Sequence, residues 1–450
     1  MTGGFGTDPG DARRRGALEA SASAQAVVRA ARRAGMRGQV SARRVFAAAA
    51  KGVERAAAVV AEEARLVARL LCAVVTVIDP GLIVLGGGIG QAPGFATEVT
   101  GELRRMAPVM PEVSVSALGT EAVVDGCLAA GTDLAWAQLT AAVRAVVPRP
   151  LAGIVFLARG SSDNAAVFGR YLAELWAGRP AGLAAPSLYT RYHADVDWYG
   201  YLMIALSQSG ATPEIISTCQ AVRGAGATVI GITNEPGSPL AGAVDLLLAT
   251  DAGAERAVPA TKTVTAQLAV LVTTAAALGT GPAPGTGPAP GDTLAGLPAA
   301  VAATLDDPGP ARELARRWRG IDRLVVAGRG LGYAAALETA LKVAETTGVL
   351  AEGMSAADLY HGPIAAVYAG APVLLVNGGG PADADLAGLR LLLDSRHAET
   401  AALPVPAGLA EPAQVITAVV RGQQLASALA LARGADPDAP AHLTKVTETT

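Results

Sequence analysis

Between residues 151 and 376 the chain twice repeats one rhythm, in which a short apolar run is followed by a stretch of helical spacing and then by another apolar run. In the first round the runs at 154–158, 202–206, 228–232 and 246–249 alternate with helical stretches at 165–177 and 215–225. An unbroken apolar run is what a strand buried on both faces requires. The predicted fold is therefore α/β, with a parallel sheet covered by helices on both sides. The second round starts with LVVAG at Leu324, runs through a helix over 334–347, reaches a strand at 372–376 and is followed by a long helix near 414–433. Between the rounds GTGPAP occurs twice in tandem, at 279–284 and 285–290, with no side chains able to form a core. It reads as a linker, and the two sheets as a duplication of architecture.

Ahead of this lies a different segment. Residues 45–72 carry helical apolar spacing with charges at Lys51, Glu54, Arg55, Glu62 and Glu63, and residues 73–78 read as an apolar strand. A turn, a buried strand and a glycine loop follow in DPGLIVLGGG at 79–88, and the prolines at 148 and 150 mark a boundary. The predicted divisions are 1–147, a first sheet domain at 148–278, a linker at 279–292, a second sheet domain at 293–435 and a tail at 436–450.

Thirty-six basic against 39 acidic residues give a formal charge of -3, so no field of either sign directs the chain to nucleic acid or to an anionic membrane surface. The first fifteen residues contain no apolar core, and no secretory signal is expected. The longest charge-free stretch, 263–291, turns Gly/Pro-rich too early to span a bilayer. Cys72, Cys127 and Cys219 are odd in number and widely spaced, which argues against a disulfide framework or a zinc site. A cytoplasmic protein without metal or cofactor is the expectation.

Only four basic residues are lysine, namely Lys51, Lys262, Lys342 and Lys445. An ammonium can lose its proton and attack a carbonyl where a guanidinium stays charged. The sharpest local signal is Ser207-Gln208-Ser209-Gly210-Ala211-Thr212-Pro213-Glu214, between an apolar run and a helical stretch. Thr212 suits an N-cap and Pro213 the first helical position, so hydroxyls and free N–H groups gather at a positive helix end suited to a phosphate monoester. Arg159-Gly160-Ser161-Ser162 ends the first strand of the same sheet and can face the same crevice. Lys342 and Glu345 share a helix face, which a solvated ion pair would explain equally well. His361 stands in Tyr360-His361-Gly362-Pro363 and, like most lone histidines, reads as structural; Lys262 reads as a first-turn charge, and Lys445 sits in a tail that looks frayed.

Five separated strings agree in order with the sugar-phosphate isomerase (SIS) family: ARGSSDN, SQSGATPE, AGAERAVPATKT, ALETALKVAETT with the later HGP, and LTKVTET. Over residues 150–450 the chain resembles the isomerase half of glutamine:fructose-6-phosphate aminotransferase. That resemblance implies two doubly wound parallel-sheet domains in tandem. It assigns the sugar phosphate to Ser207, Gln208, Ser209 and Thr212 with Ser161, Ser162 and Val258, and the C1–C2 proton transfer to Glu345, one turn after Lys342. It further implies that His361 promotes ring opening from a neighbouring subunit, hence a homodimer, and that Lys445 forms a Schiff base with the open-chain ketose. Ala260 stands where the family pattern has serine.

Met1 is followed by Thr2, and no cysteine precedes Cys72, so the family's glutaminase domain with its N-terminal cysteine is not seen. The implied reaction runs toward deamination: glucosamine 6-phosphate to fructose 6-phosphate and ammonia. An aldose–ketose isomerase, a fructosamine-6-phosphate deglycase and a non-catalytic sugar-phosphate sensor are the alternatives. The N-terminal segment instead resembles the C-terminal part of a ROK-family sugar kinase, an incomplete actin-like ATPase α/β segment. GALEASAS at 16–23 and DPGLIVLGGGIG at 79–90 carry that likeness. Ala17 replaces a zinc-ligand cysteine, and the family's phosphate motif and catalytic aspartate are not found, so kinase activity is not expected.

Overall fold

The computed structural model describes residues 24–37, 41–78, 82–85, 92–107, 110–115, 133–279, 292–440 and 443. The chain divides into two units, Met1–Ala122 and Val123–Thr450. In the first, helices α1 (Ala24–Arg33), α2 (Ala42–Ala50) and α3 (Glu54–Ile78) are followed by strand β1 (Leu82–Leu85), helix α4 (Phe95–Met106) and strand β2 (Glu112–Val115), which pairs in parallel with β1. Phe46 and Phe95 meet edge-on at 5.5 Å in its core. Residues 73–78, expected as a strand, are instead the last turns of α3. No turn residue separates them from the helix before Asp79-Pro80-Gly81, so the helix simply continues.

The second unit opens with α5 (Asp133–Val146), which packs on a helix of the first sheet domain; Arg144 Nε donates to the Ala277 carbonyl at 3.1 Å. The two compact units divide at Ala122/Val123, so that α5, which lies before residue 148, belongs to the second unit. The first sheet domain then runs β3 (Gly153–Leu157), α6 (Ser161–Ala177), β4 (Ala181–Leu183), α7 (Ser187–Thr190), β5 (Tyr201–Leu206), α8 (Pro213–Gly224), β6 (Thr228–Thr233), β7 (Leu246–Ala249) and α9 (Lys262–Leu278). Its strands are all parallel, in the order β4-β3-β5-β6-β7. The chain leaves β3 toward one edge and returns on the other side as β5, which makes the β3/β5 junction the switch point where such sheets bind ligands.

The second domain runs α10 (Leu297–Asp306), α11 (Gly309–Arg317), β8 (Arg323–Gly328), α12 (Gly332–Thr347), β9 (Leu350–Ser355), α13 (Ala356–Tyr360), β10 (Pro372–Val376), α14 (Asp383–Ser395), β11 (Glu399–Ala402) and α15 (Glu411–Ala432). Read from its other edge, the order β9-β8-β10-β11 repeats β4-β3-β5-β6, again parallel. One continuous core joins the two: Phe156, Ile204 and Leu268 of the first half pack in the same apolar cluster as Val326, Val343 and Val419 of the second. The opposite faces are closed by α8, through Ile215, Cys219 and Val222, and by α14, through Leu386, Leu389 and Leu393. Helix α15 is long and apolar enough to cross a membrane by composition, yet it packs on α10, α11 and α12 with 67% of its apolar window buried. Most of the expected linker, 280–291, lies outside the described residues.

Candidate functional site

Two loops meet at the switch point. Gly160, at φ +60°, turns the chain into α6, so that Ser161 and Ser162 occupy the first helical turn, earlier than the helical spacing predicts, and both are buried. After β5, Ser207 is anchored by its N–H on the Ile232 carbonyl at 3.0 Å, and its Oγ accepts from the Gly210 N–H at 3.1 Å. Gly210 has φ +58°, and a Cβ there would fall 1.9 Å from Ser238 Oγ, so only glycine closes this turn. Thr212 and Pro213 are the N-cap and first residue of α8, as the sequence predicts. The Thr212 hydroxyl, however, makes no cap bond; its Oγ1 lies 3.5 Å from Ser207 Oγ. Hydroxyls and the N-termini of α6 and α8 thus converge, the arrangement that favours an anion.

They line a cavity of about 400 Å³ that Lys342 and Glu345 close on another side. Its third wall is Val258, Pro259 and Ala260, positioned by Glu255, whose carboxylate accepts from the N–H and hydroxyl of both Thr261 and Thr263 at 2.7–3.1 Å. The Val258 N–H donates to the Asp438 carbonyl at 2.9 Å, which fixes the start of the tail beside this wall, and Leu443 lines the cavity.

Lys342 is no solvated ion pair: its side chain is 2% exposed. Nζ pairs with Glu345 Oε2 and lies 3.7 Å from Glu338 Oε1. Glu338 is buried as deeply, with Oε2 accepting from Asn164 Nδ2 at 2.8 Å and Oε1 lacking a hydrogen bond. Burial lifts the Glu338 carboxyl from 4.5 to about 7, against the opposing pull of Lys342 and of the hydrogen bonds from Asn164 and Ser161. One buried ammonium is thus shared by two carboxyls. Glu345 is the one of the pair that reaches the cavity, one quarter exposed. Its oxygens can take and return a proton there.

All seven expected sugar-phosphate residues (Ser161, Ser162, Ser207, Gln208, Ser209, Thr212 and Val258) line this cavity together with Lys342 and Glu345. His361 does not: it is exposed, at the C-terminus of α13, with its N–H on the Asp358 carbonyl. Lys445 lies outside the described residues. Lys262 is the first residue of α9 and does not line the cavity. Sequence reasoning gave no role to Arg159, Asn164 or Glu338. Glu338, Lys342 and Glu345 sit at i, i+4 and i+7, so the third charge on the helix face was there to be read. Among the described residues no group of His, Cys, Asp and Glu is arranged to hold a metal ion.

Residues 152–277 and 319–404 match the SIS domain, and residues 6–138 match the ROK family. The chain belongs to the SIS family. A glutamine–fructose-6-phosphate aminotransferase (isomerizing) from Gloeobacter violaceus is 35% identical over 312 residues, covering 65% of this chain and 51% of the relative. The chain thus spans about half the length of the curated relatives it matches. A candidate phosphosugar isomerase from Silicibacter pomeroyi superposes on this SIS protein with a TM-score of 0.62 at 30% identity, covering 71% of this chain and 99% of that one. A glucosamine-6-phosphate deaminase from Thermotoga maritima shares the SIS fold, with a TM-score of 0.54 at 22% identity over 72% of this chain and all (100%) of the other.

Proposed function

We propose that the SIS pair converts glucosamine 6-phosphate to fructose 6-phosphate and ammonia. The observation that carries this reading is a single cavity in which a hydroxyl loop at two helix N-termini faces the Glu345 carboxylate held by Lys342. The phosphate sits at the 207–212 loop and positions the sugar, so that binding remote from the reacting carbons lowers the barrier. Glu345 takes the C2 proton of the open-chain aldose and returns it to C1, leaving an imine at C2. Water adds to that imine and expels ammonia, so no second organic substrate is needed. In this reading His361 opens the ring from a second copy of the chain, because it is absent from its own chain's cavity, and Lys445 engages the ketose.

A second reading is favoured by the wall of Val258, Pro259, Ala260 and Leu443, which offers apolar surface where the family has a serine. That wall suits a substituent on the amine, as in a fructosamine 6-phosphate. Incubating the protein with glucosamine 6-phosphate and with fructosamine 6-phosphates, and measuring ammonia or amine together with the sugar phosphate released, separates the two. Glu345→Gln is expected to lower turnover by about 10²–10⁴. No release by wild type from either substrate, or full activity in Glu345→Gln, overturns the mechanism.

A further inference from the structure

Arg159 reaches the cavity wall from the turn before Gly160, and its partners are unusual for a residue beside an anion site. Its Nε donates to Glu214 Oε2 at 3.0 Å, Nη2 lies at the same distance from that oxygen, and Nη1 donates to the Ala158 carbonyl at 3.3 Å. Glu214 stands in the first turn of α8 and Asp163 in the first turn of α6. Each helix start that would attract a phosphate therefore carries its own carboxylate. Burial raises the Asp163 carboxyl while the Arg159 charge draws it down, which places Arg159 within electrostatic reach of both acids. Without it, a phosphate dianion entering the 207–212 loop would meet two uncompensated negative charges.

A guanidinium carries five N–H donors in a rigid fork, and these contacts occupy no more than one on each terminal nitrogen. One N–H on Nη1 and one on Nη2 remain, the spacing that matches two oxygens of a phosphate. We propose that Arg159 determines specificity for the phosphorylated substrate, binding the phosphate through its free fork while Glu214 holds the guanidinium in the cavity wall. Glu214 is then a restraint that weakens affinity: it positions the cation but competes with the phosphate for it. The proposal rests on the reading of the cavity as a sugar-phosphate site.

Two variants with opposite expected effects test it, by calorimetric titration of the whole chain with inorganic phosphate and with glucosamine 6-phosphate, alongside KM and kcat. Arg159→Ala should weaken phosphate binding and raise KM by about tenfold to a hundredfold, the loss expected for hydrogen bonds to a charged group, with a much smaller change in kcat. Arg159→Lys should recover only part of this, because a point charge lacks the fork. Glu214→Gln should tighten phosphate binding, since it removes the competing carboxylate. If Arg159 and Glu214 serve only to brace the two loops, both variants break the brace and weaken binding alike, and that result overturns the proposal. So does unchanged phosphate affinity in an Arg159→Ala protein whose melting temperature matches wild type. Wild type that binds phosphate in an Arg159-dependent way yet turns over no sugar phosphate would sink the enzymatic reading and leave Arg159 in its role. Wild type that binds neither ligand overturns both.

Discussion

The two halves of the SIS pair end in equivalent loops with opposite uses. After β3 the chain reads Arg159-Gly160-Ser161-Ser162 and after β8 it reads Arg329-Gly330-Leu331-Gly332, with Gly160 and Gly330 at φ +60° and +57°. Both arginines reach an acid near the start of the helix that follows the switch-point strand: Arg159 takes Glu214, and Arg329 takes Asp385 at 3.0 Å. The difference lies in what fills the second loop. In the first half Ser207, Ser209 and Thr212 line an open cavity. In the second half the loop is Asn377-Gly378-Gly379-Gly380, and the N–H groups of Gly378 and Gly379 donate to the Asp383 carboxylate at 2.9 and 3.0 Å. Glu411 and Gln414, at the start of α15, crowd the same loop so closely that a Cβ on Gly380 would lie 2.0 Å from the Glu411 carboxyl carbon. The same backbone device thus opens on a cavity in one half and is satisfied internally in the other. Topology supplies the crevice, and side chains decide whether it is a site. The second half contributes α12 instead, with Lys342 and Glu345.

This division of labour can be broken at either end. Ser207→Ala combined with Thr212→Val removes two hydroxyls from a charged ligand and should raise KM for the sugar phosphate by about a hundredfold, with a stability loss of only about 1 kcal/mol from the Gly210 N–H that loses Ser207 Oγ. A large stability loss instead would show that the loop is structural in both halves. Asp383→Ala strips the partner from two backbone N–H groups and should cost about 1–3 kcal/mol of stability in denaturant titrations, with KM unaltered. A KM change as large as that of the serine–threonine variant would show that the second loop also touches substrate.

A pH-dependent effect concerns the joint between the halves. Glu338 is held protonated more firmly in the folded chain than its ordinary 4.5 allows, up to about 7, so its contribution to stability is complete below pH 4.5 and is lost as the pH rises through 7. The melting temperature of wild type should therefore fall relative to Glu338→Gln between pH 4.5 and 7. Parallel curves would mean that Asn164 and Lys342 hold the carboxyl without any preference for its proton.

Six strands of the SIS pair were legible because each is a run of apolar residues: β3, β5, β6, β7, β8 and β10 lie within one residue of the runs that predict them. Within the SIS pair the strands that sequence reasoning missed, β4 (AGL), β9 (LAEGMS) and β11 (ETAA), all sit at sheet edges, where one side is exposed and an apolar run can be dispensed with, although the edge strand β7 (LLLA) keeps one. The opposite error at 73–78 has the same root, since an aliphatic run is equally at home in a buried helix. In the site, local strings reveal the hydroxyl loop and the pair on α12. The bond from Asn164 to Glu338 spans 174 residues and that from Arg159 to Glu214 spans 55. No local pattern encodes either, because both depend on how α6 meets α12 and how β3 lies beside β5.

The apolar cluster that runs through both sheets has taken independence away from the repeats. Each half's inner face is dry only while the other covers it, through α6 against α12 and α9 against α15. A chain cut between residues 279 and 292 should therefore stay together as a two-piece complex, whereas either half made alone would present its hydrophobic side to water and aggregate. The two halves of the SIS pair are therefore expected to unfold as a single body, in one melting transition.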